Sequence, residues 1–142
     1  MINKENGEVT FPDWEFILSP RTTRSDFLKS SLAHKAKPEV LNEPYASWRI
    51  QASRWRDKWW TVGVRFNEER IYSIILSAWD DENGPKWENW SEAEVKKLKE
   101  YHSTVLVQIL GFSPHEFSWG VVESIYDERS AGTYICVGYY EA

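Results

Sequence analysis

An α+β domain, with one antiparallel sheet packed against one long helix, is the architecture this sequence predicts, and three observations predict it. Alternating apolar and polar residues run in successive stretches between Trp48 and Trp79. One segment, Ser91 to Gly111, carries apolar residues at helical spacing between start and stop signals. The residues from Phe117 to Tyr140 read as two further strands around a polar turn. At 142 residues the chain fits a single domain, 1–142, with the first ten residues expected as a flexible lead-in.

In chain order, Trp14, Phe16 and Leu18 fall on one face of an expected first strand, which Ser19-Pro20 ends. Thr23 stands three residues before Asp26, an N-cap arrangement that predicts a short helix over about 23–31. From Ala33 to Pro44 there are two prolines and no sustained period, which reads as a surface loop. A three-stranded meander follows. Trp48, Ile50 and Ala52 alternate with polar residues; Trp60, Val62, Val64 and Phe66 alternate with Trp59, Thr61, Gly63 and Arg65. The run from Ile71 to Trp79 is apolar on both faces, as a central strand would be. Ser91 with Glu94 forms a capping box for a helix over about 92–110, with Val95, Leu98, His102, Val105, Leu106, Ile109 and Leu110 on its apolar stripe. Gly111 is placed for a left-handed cap, with Phe112 for the accompanying hydrophobic contact. A hairpin of Phe117–Tyr126 with Thr133–Tyr140 completes the order β-α-β-β-β-α-β-β, about six strands.

Lys and Arg total 17 against 22 Asp and Glu, a net charge of −5. Nucleic-acid binders usually carry a basic face, so this balance argues against nucleic acid and suits a basic protein partner. Cys136 has no second cysteine to pair with and sits in a strand pattern as a small hydrophobe. The polar, mixed-charge stretch from Met1 to Glu8 has no secretory signature, and no apolar stretch approaches the ~20 residues that span a bilayer. The expectation is a cytoplasmic protein with no membrane partner.

Chemistry-bearing patterns are sparse. His34, His102, His115 and Cys136 show no metal-ligand spacing, Asp80, Asp81 and Asn83 lack the twelve-residue calcium-loop pattern, and no phosphate-binding glycine loop occurs. No metal or cofactor is expected. His102 lies on the helix stripe and could act as a base with Glu123 or Asp127, although core packing is the commoner role for such a histidine. Nine tryptophans are the unusual feature of the composition. Trp48, Trp55, Trp59 and Trp60 are interleaved with Arg49, Arg54, Arg56 and Lys58, a pattern that suits base stacking or an interface hot spot. Alternation sends one of Trp59 and Trp60 inward. Asp80, Asp81, Glu82, Glu88, Glu92 and Glu94 face the single base Lys86 around Trp87 and Trp90, an acidic field with aromatic anchors.

The stretch Phe117 to Asp127 (an aromatic-Trp-Gly strand leading into Ser-Ile-Tyr-Asp), with Arg129-Ser130, Ile135 to Tyr139, the helix bearing His102 and the Leu110-Gly111 stop, resembles a family of small bacterial proteins over about 90–140. These are similar to immunity partners encoded beside bacterial toxins. The resemblance implies a protein-binding role and assigns no catalytic residue; Trp119-Gly120, Asp127 and Gly132 read as fold-closing. Three functions follow in order. The first is an immunity-type inhibitor of a basic toxin domain, contacting it through Asp80, Asp81, Glu82, Trp87 and Trp90. The second is a carbohydrate or single-strand binder using Trp48, Trp55, Arg56 and Trp59. The third is a small hydrolase built on His102.

Overall fold

The computed structural model describes residues 1–84, 91–112, 114–129 and 132–141. After a short helix, α1 (Arg24–Lys29), and a 3-10 turn (Ser31–Lys35), come β1 (Ala36–Asn42), β2 (Tyr45–Trp55), β3 (Lys58–Asn67) and β4 (Arg70–Trp79). The long helix α2 (Glu92–Leu110) then leads to β5 (Glu116–Phe117), β6 (Gly120–Asp127) and β7 (Gly132–Tyr139). The seven strands form one antiparallel sheet in the order β1-β2-β3-β4-β7-β6-β5. The α+β class and the single long helix are as the sequence predicts, and β4, apolar on both faces, is the central strand.

Strand alternation sorts the sheet into two faces. Trp48, Val64, Ile74, Val137 and Val122 lie in register across five strands and are all buried. The next row, Ile50, Val62, Leu76 and Ile135, points the same way and is fully buried. Helix α2 closes one end of this face with Val105, Leu106 and Leu110, and α1 closes the other with Phe27, whose ring lies 5.7 Å from both Trp48 and Phe66. Both helices start where their sequence signals stand: Thr23 Oγ1 accepts the Asp26 amide at 3.0 Å, and Ser91 Oγ accepts the Glu94 amide at 3.1 Å.

Four expectations need correction. The segment Trp14–Leu18 is not a sheet strand; Leu18 makes only an isolated bridge to Val9, which bridges in turn to Ile2. Trp14 and Leu18 are buried, but as plugs of a strap lying over the helix-covered face, where Trp14 Nε1 donates to Ser53 Oγ at 2.9 Å. The first ten residues belong to that strap: Ile2 and Val9 are buried, Trp119 Nε1 donates to the Lys4 carbonyl, and the Tyr139 hydroxyl donates to the Gly7 carbonyl at 2.6 Å. The expected loop of 33–44 contains β1, an edge strand exposed along nearly its whole length, so it has no inward face to impose a period. Its Pro38 is tolerated because an edge strand does not need every donor, and the register shifts just beyond it. Gly111 does end α2 with φ +87°, its amide donating to Val107, yet Phe112 is 87% exposed and makes no capping contact.

Candidate functional site

Among the described residues no helix or strap covers the second face of the sheet. Its outward row Arg49, Gly63, Ile75, Cys136 and Glu123 is the neighbour of the buried rows and points the opposite way. The centre of this face is built from small residues: Gly63 has no side chain, and Ser47, Thr61 and Ser77 are short. The rim is built from large ones. Tyr45 and Tyr72, in edge contact at 6.1 Å, and Arg65 stand at one end, and Trp79, Tyr134 and Asp127 at the other. The register break between Arg65 and Phe66 against β4 leaves Tyr72 as the extra residue and turns it toward the hollow. A small floor within a large rim makes a hollow of about 640 Å³, with Glu39, Val40 and Arg49 along its β1 side. Val40 and Tyr45, each about half exposed, continue an apolar surface outward from it.

The electrostatics of the hollow are uneven. Arg49 Nε pairs with Glu39 at 2.7 Å. Arg65 is exposed and has no ion-pair or hydrogen-bond partner among the described residues. Asp127 holds its own turn by accepting the Arg129 amide at 3.0 Å. Beyond Trp79, the chain enters the acidic loop. Tyr, Trp and Arg are the residue types that dominate protein interfaces energetically, because they combine a large contact area with a polar handle.

The residues singled out from the sequence separate in space. Trp48 is 8% exposed between Phe27 and Phe66, so it offers no stacking surface to a ligand. Trp55 lies on the helix-covered face against Trp60, with the Arg56 guanidinium 4.3 Å above its ring. Trp59 is half-buried on the open face under Arg54, opposite Trp79. Trp48, Trp55, Arg56 and Trp59 therefore do not form one platform. The basic residues near them are committed to the fold: Arg56 donates to Gln108 of α2, and Lys58 pairs with Asp80 and lies 5.0 Å over the Tyr101 ring. Burial, with Asp57 beside it, pushes the Tyr101 phenol up to about 12. This corner ties the β2–β3 hairpin to α2.

Asp80 is exposed apart from its Lys58 pairing, Asp81 accepts the Asn83 amide at 2.8 Å, and Glu82 is exposed. The loop begins directly after Trp79, on the rim of the hollow. Trp87 and Trp90 lie outside the described residues.

His102 is fully buried and both ring nitrogens are used. The Thr133 hydroxyl donates to the Ile125 carbonyl, so its oxygen takes the proton of His102 Nδ1 at 3.3 Å. Nε2 is left to accept the Ala78 amide at 3.0 Å. Burial, with Lys99 and Lys58 adding to it, lowers the imidazole pKa to about 4. Glu123 is exposed in the outward row, so the sheet separates it from His102, and Asp127 is engaged in its turn. The acid–base constellation of the hydrolase reading does not assemble. Arg65, Tyr45, Tyr72 and Tyr134 escaped the sequence reading. Their signal was the outward half of each alternating strand, which has no meaning until register and strand order align the strands.

Fold and open face together define a class: an α+β domain with one sheet face closed by helices and a strap, and the other left as a rimmed hollow. No family model matches the chain, and no curated protein matches it. Among solved structures the chain is similar to one described as "Rhs1-CT in complex with cognate immunity protein RhsI1". The TM-score is 0.59 at 16% identity, over 97% of this chain and 85% of that one, which is a likeness of fold. A resemblance confined to about 90–140 is therefore too narrow, because the likeness takes in almost the whole chain.

Proposed function

We propose that this chain is a non-enzymatic protein-binding domain of the immunity type, which neutralises a toxin domain by covering part of its surface. The observation that carries this reading is the open sheet face, where tyrosines, a tryptophan and an arginine with no partner among the described residues ring a hollow that no described element of the chain fills. The fold likeness to a chain from a toxin–immunity complex favours immunity within the wider class of binding proteins. The same reading suits His102, a neutral group locked into the core with no access to a substrate.

The acidic loop fits the role as a steering element. Asp80, Asp81 and Glu82 adjoin the Trp79 end of the hollow and would attract a basic toxin surface, and Trp87 and Trp90, which follow them in the sequence, are the proposed anchors. Steering by charge acts mainly on the association rate, so added salt slows association more than it speeds release. The test is co-expression of the tagged chain with the toxin-like domain encoded beside it. An equimolar complex in which that domain is inactive supports the reading. A well-folded neighbouring domain that neither binds nor loses activity overturns it.

A further inference from the structure

We infer that the hollow receives an extended segment of the partner protein, which sets a carboxylate against Arg65 and Arg49 and a cationic side chain toward Asp127. This rests on the protein-binding reading above and gives that partner a chemistry.

The argument starts from register. Arg49 is opposite Gly63, and Arg65 is opposite Ser47, so the two arginines are diagonal neighbours on the same face. Diagonal pairs lie roughly 7–8 Å apart at their backbones, within reach of long side chains that converge on one group. Gly63 and Ser47 take the other two corners of the cell they span, so a carboxylate entering there meets two guanidinium groups over a floor of one glycine and one short serine. Glu39 pairs with Arg49 through Nε, and no second carboxylate meets this guanidinium among the described residues. Arg65 has no partner of any kind among the described residues. A guanidinium with its donor fork unfilled beside a concave surface suits two-point recognition of a carboxylate.

The other end has the opposite sign. Across the sheet Arg65 aligns through Ser73 and Gly138 with Val121, and Asp127 lies six residues further along β6. At the rise of a strand that is about 20 Å along the sheet, and three interstrand steps add about 14 Å across it. The two ends therefore lie about 24 Å apart, the reach of roughly seven residues of extended chain. Tyr72, Ile75, Tyr134 and Trp79 line the path between. The occupant that fits is a short extended segment, acidic at one end, apolar in the middle and basic at the other. The basic end lies toward the acidic loop, so one partner satisfies both the hollow and the steering charge.

The probe is a capped peptide with Glu at one end, Leu in the middle and Lys at the other, titrated into the ¹⁵N-labelled chain. Its control is the same composition with Glu replaced by Gln. The expected result is shifts of the Ser47, Gly63, Arg65 and Ile75 amides that saturate with the Glu peptide and weaken at least tenfold with the control. Arg65→Glu should abolish them. Gly63→Tyr, which fills the hollow and leaves its charges in place, should abolish them too, with thermal melts confirming that both variants fold. Shifts confined to other surfaces, or equal shifts with both peptides, overturn the inference. A neighbouring toxin domain that binds Arg65→Glu and Gly63→Tyr as tightly as the unmodified chain also overturns it, while leaving the immunity reading intact. Saturable docking of the Glu peptide with no toxin complex has the reverse meaning: the hollow stands and the immunity reading falls.

Discussion

The two faces of this sheet are made from the same strands, and they obey opposite packing rules. On the covered face large side chains meet in register: Trp60, Phe66, Ile74, Leu76 and Ile135 are fully buried, and the polar groups among them are paired. On the open face small residues occupy the centre and large ones the rim, so the surface stays concave. A chain selected for stability alone would fill that concavity, since unfilled surface forfeits contact energy. One face fits the requirements of the fold, and the other is left concave, as the proposed binding of a partner requires. Substitutions should therefore divide by face in both magnitude and sign.

The largest effect belongs at Gly120, where the strap side of the covered face and the β6–β7 ladder meet. A Cβ built there lies 2.1 Å from the Gly138 carbonyl oxygen, a backbone atom that cannot turn aside. Gly120→Ala must pry β6 from β7, and the expected loss is about 4 kcal/mol or more, read as a fall in urea midpoint. A midpoint unchanged within error would mean that these strands are not in the contact described.

Next in size is the pH response of the covered face. His102 titrates near 4 in the folded protein, against 6.5 for an unhindered imidazole. Between those values the unfolded chain binds a proton that the native state refuses. Stability is therefore fully present above pH 6.5, falls as pH drops, and levels off near pH 4. A shift of this size corresponds to about 3 kcal/mol. His102→Gln removes the titration while keeping an acceptor for the Ala78 amide. Its stability profile over that window should be flatter than that of the unmodified protein; parallel profiles would exclude His102 as the source of the slope.

These covered-face features were also the more legible in the sequence. The capping box at Ser91 and the 3.6-residue stripe placed α2, and strands with one buried face announced themselves by alternation. Legibility failed wherever burial does not alternate. β1 is exposed on both sides and has nothing to repeat, whereas Trp14, Phe16 and Leu18 have the spacing of a strand and act as a strap. The basic residues around Trp48 suggest a ligand platform, whereas its alternation with Ile50 argues for the core, where it lies. The hollow was beyond reach for a different reason. Its floor is Gly63, Ser47, Thr61 and Ser77, residues with no chemical signature, and its rim comes from strands distant in sequence. Only strand order and register make them one surface.

A smaller prediction tests the strap. Trp14→Phe keeps most of the buried ring but strands the Ser53 hydroxyl, which accepts the indole proton at 2.9 Å. Loss of one buried hydrogen bond should cost about 1 kcal/mol, measured by thermal melting. No effect would mean that the strap contributes packing alone.

The smallest effect on stability, and the most informative, should come from Gly63→Val. The nearest atom to a Cβ at Gly63 is the Ile75 Cβ at 3.5 Å, an ordinary contact, and the backbone there is not in the left-handed region. Glycine in a strand interior loses more chain entropy than other residues and packs nothing. Gly63→Val should therefore leave stability unchanged or raise it by about 0.5–1 kcal/mol, on the scale by which a strand glycine falls short of alanine. The same methyl groups intrude on the hollow, so partner affinity should fall as stability holds or rises. Opposite signs from one substitution are the signature of a residue kept for binding. If Gly63→Val instead destabilised the protein as Gly120→Ala is expected to, the glycine would be a packing requirement like any on the covered face, and the distinction between the two faces would be lost.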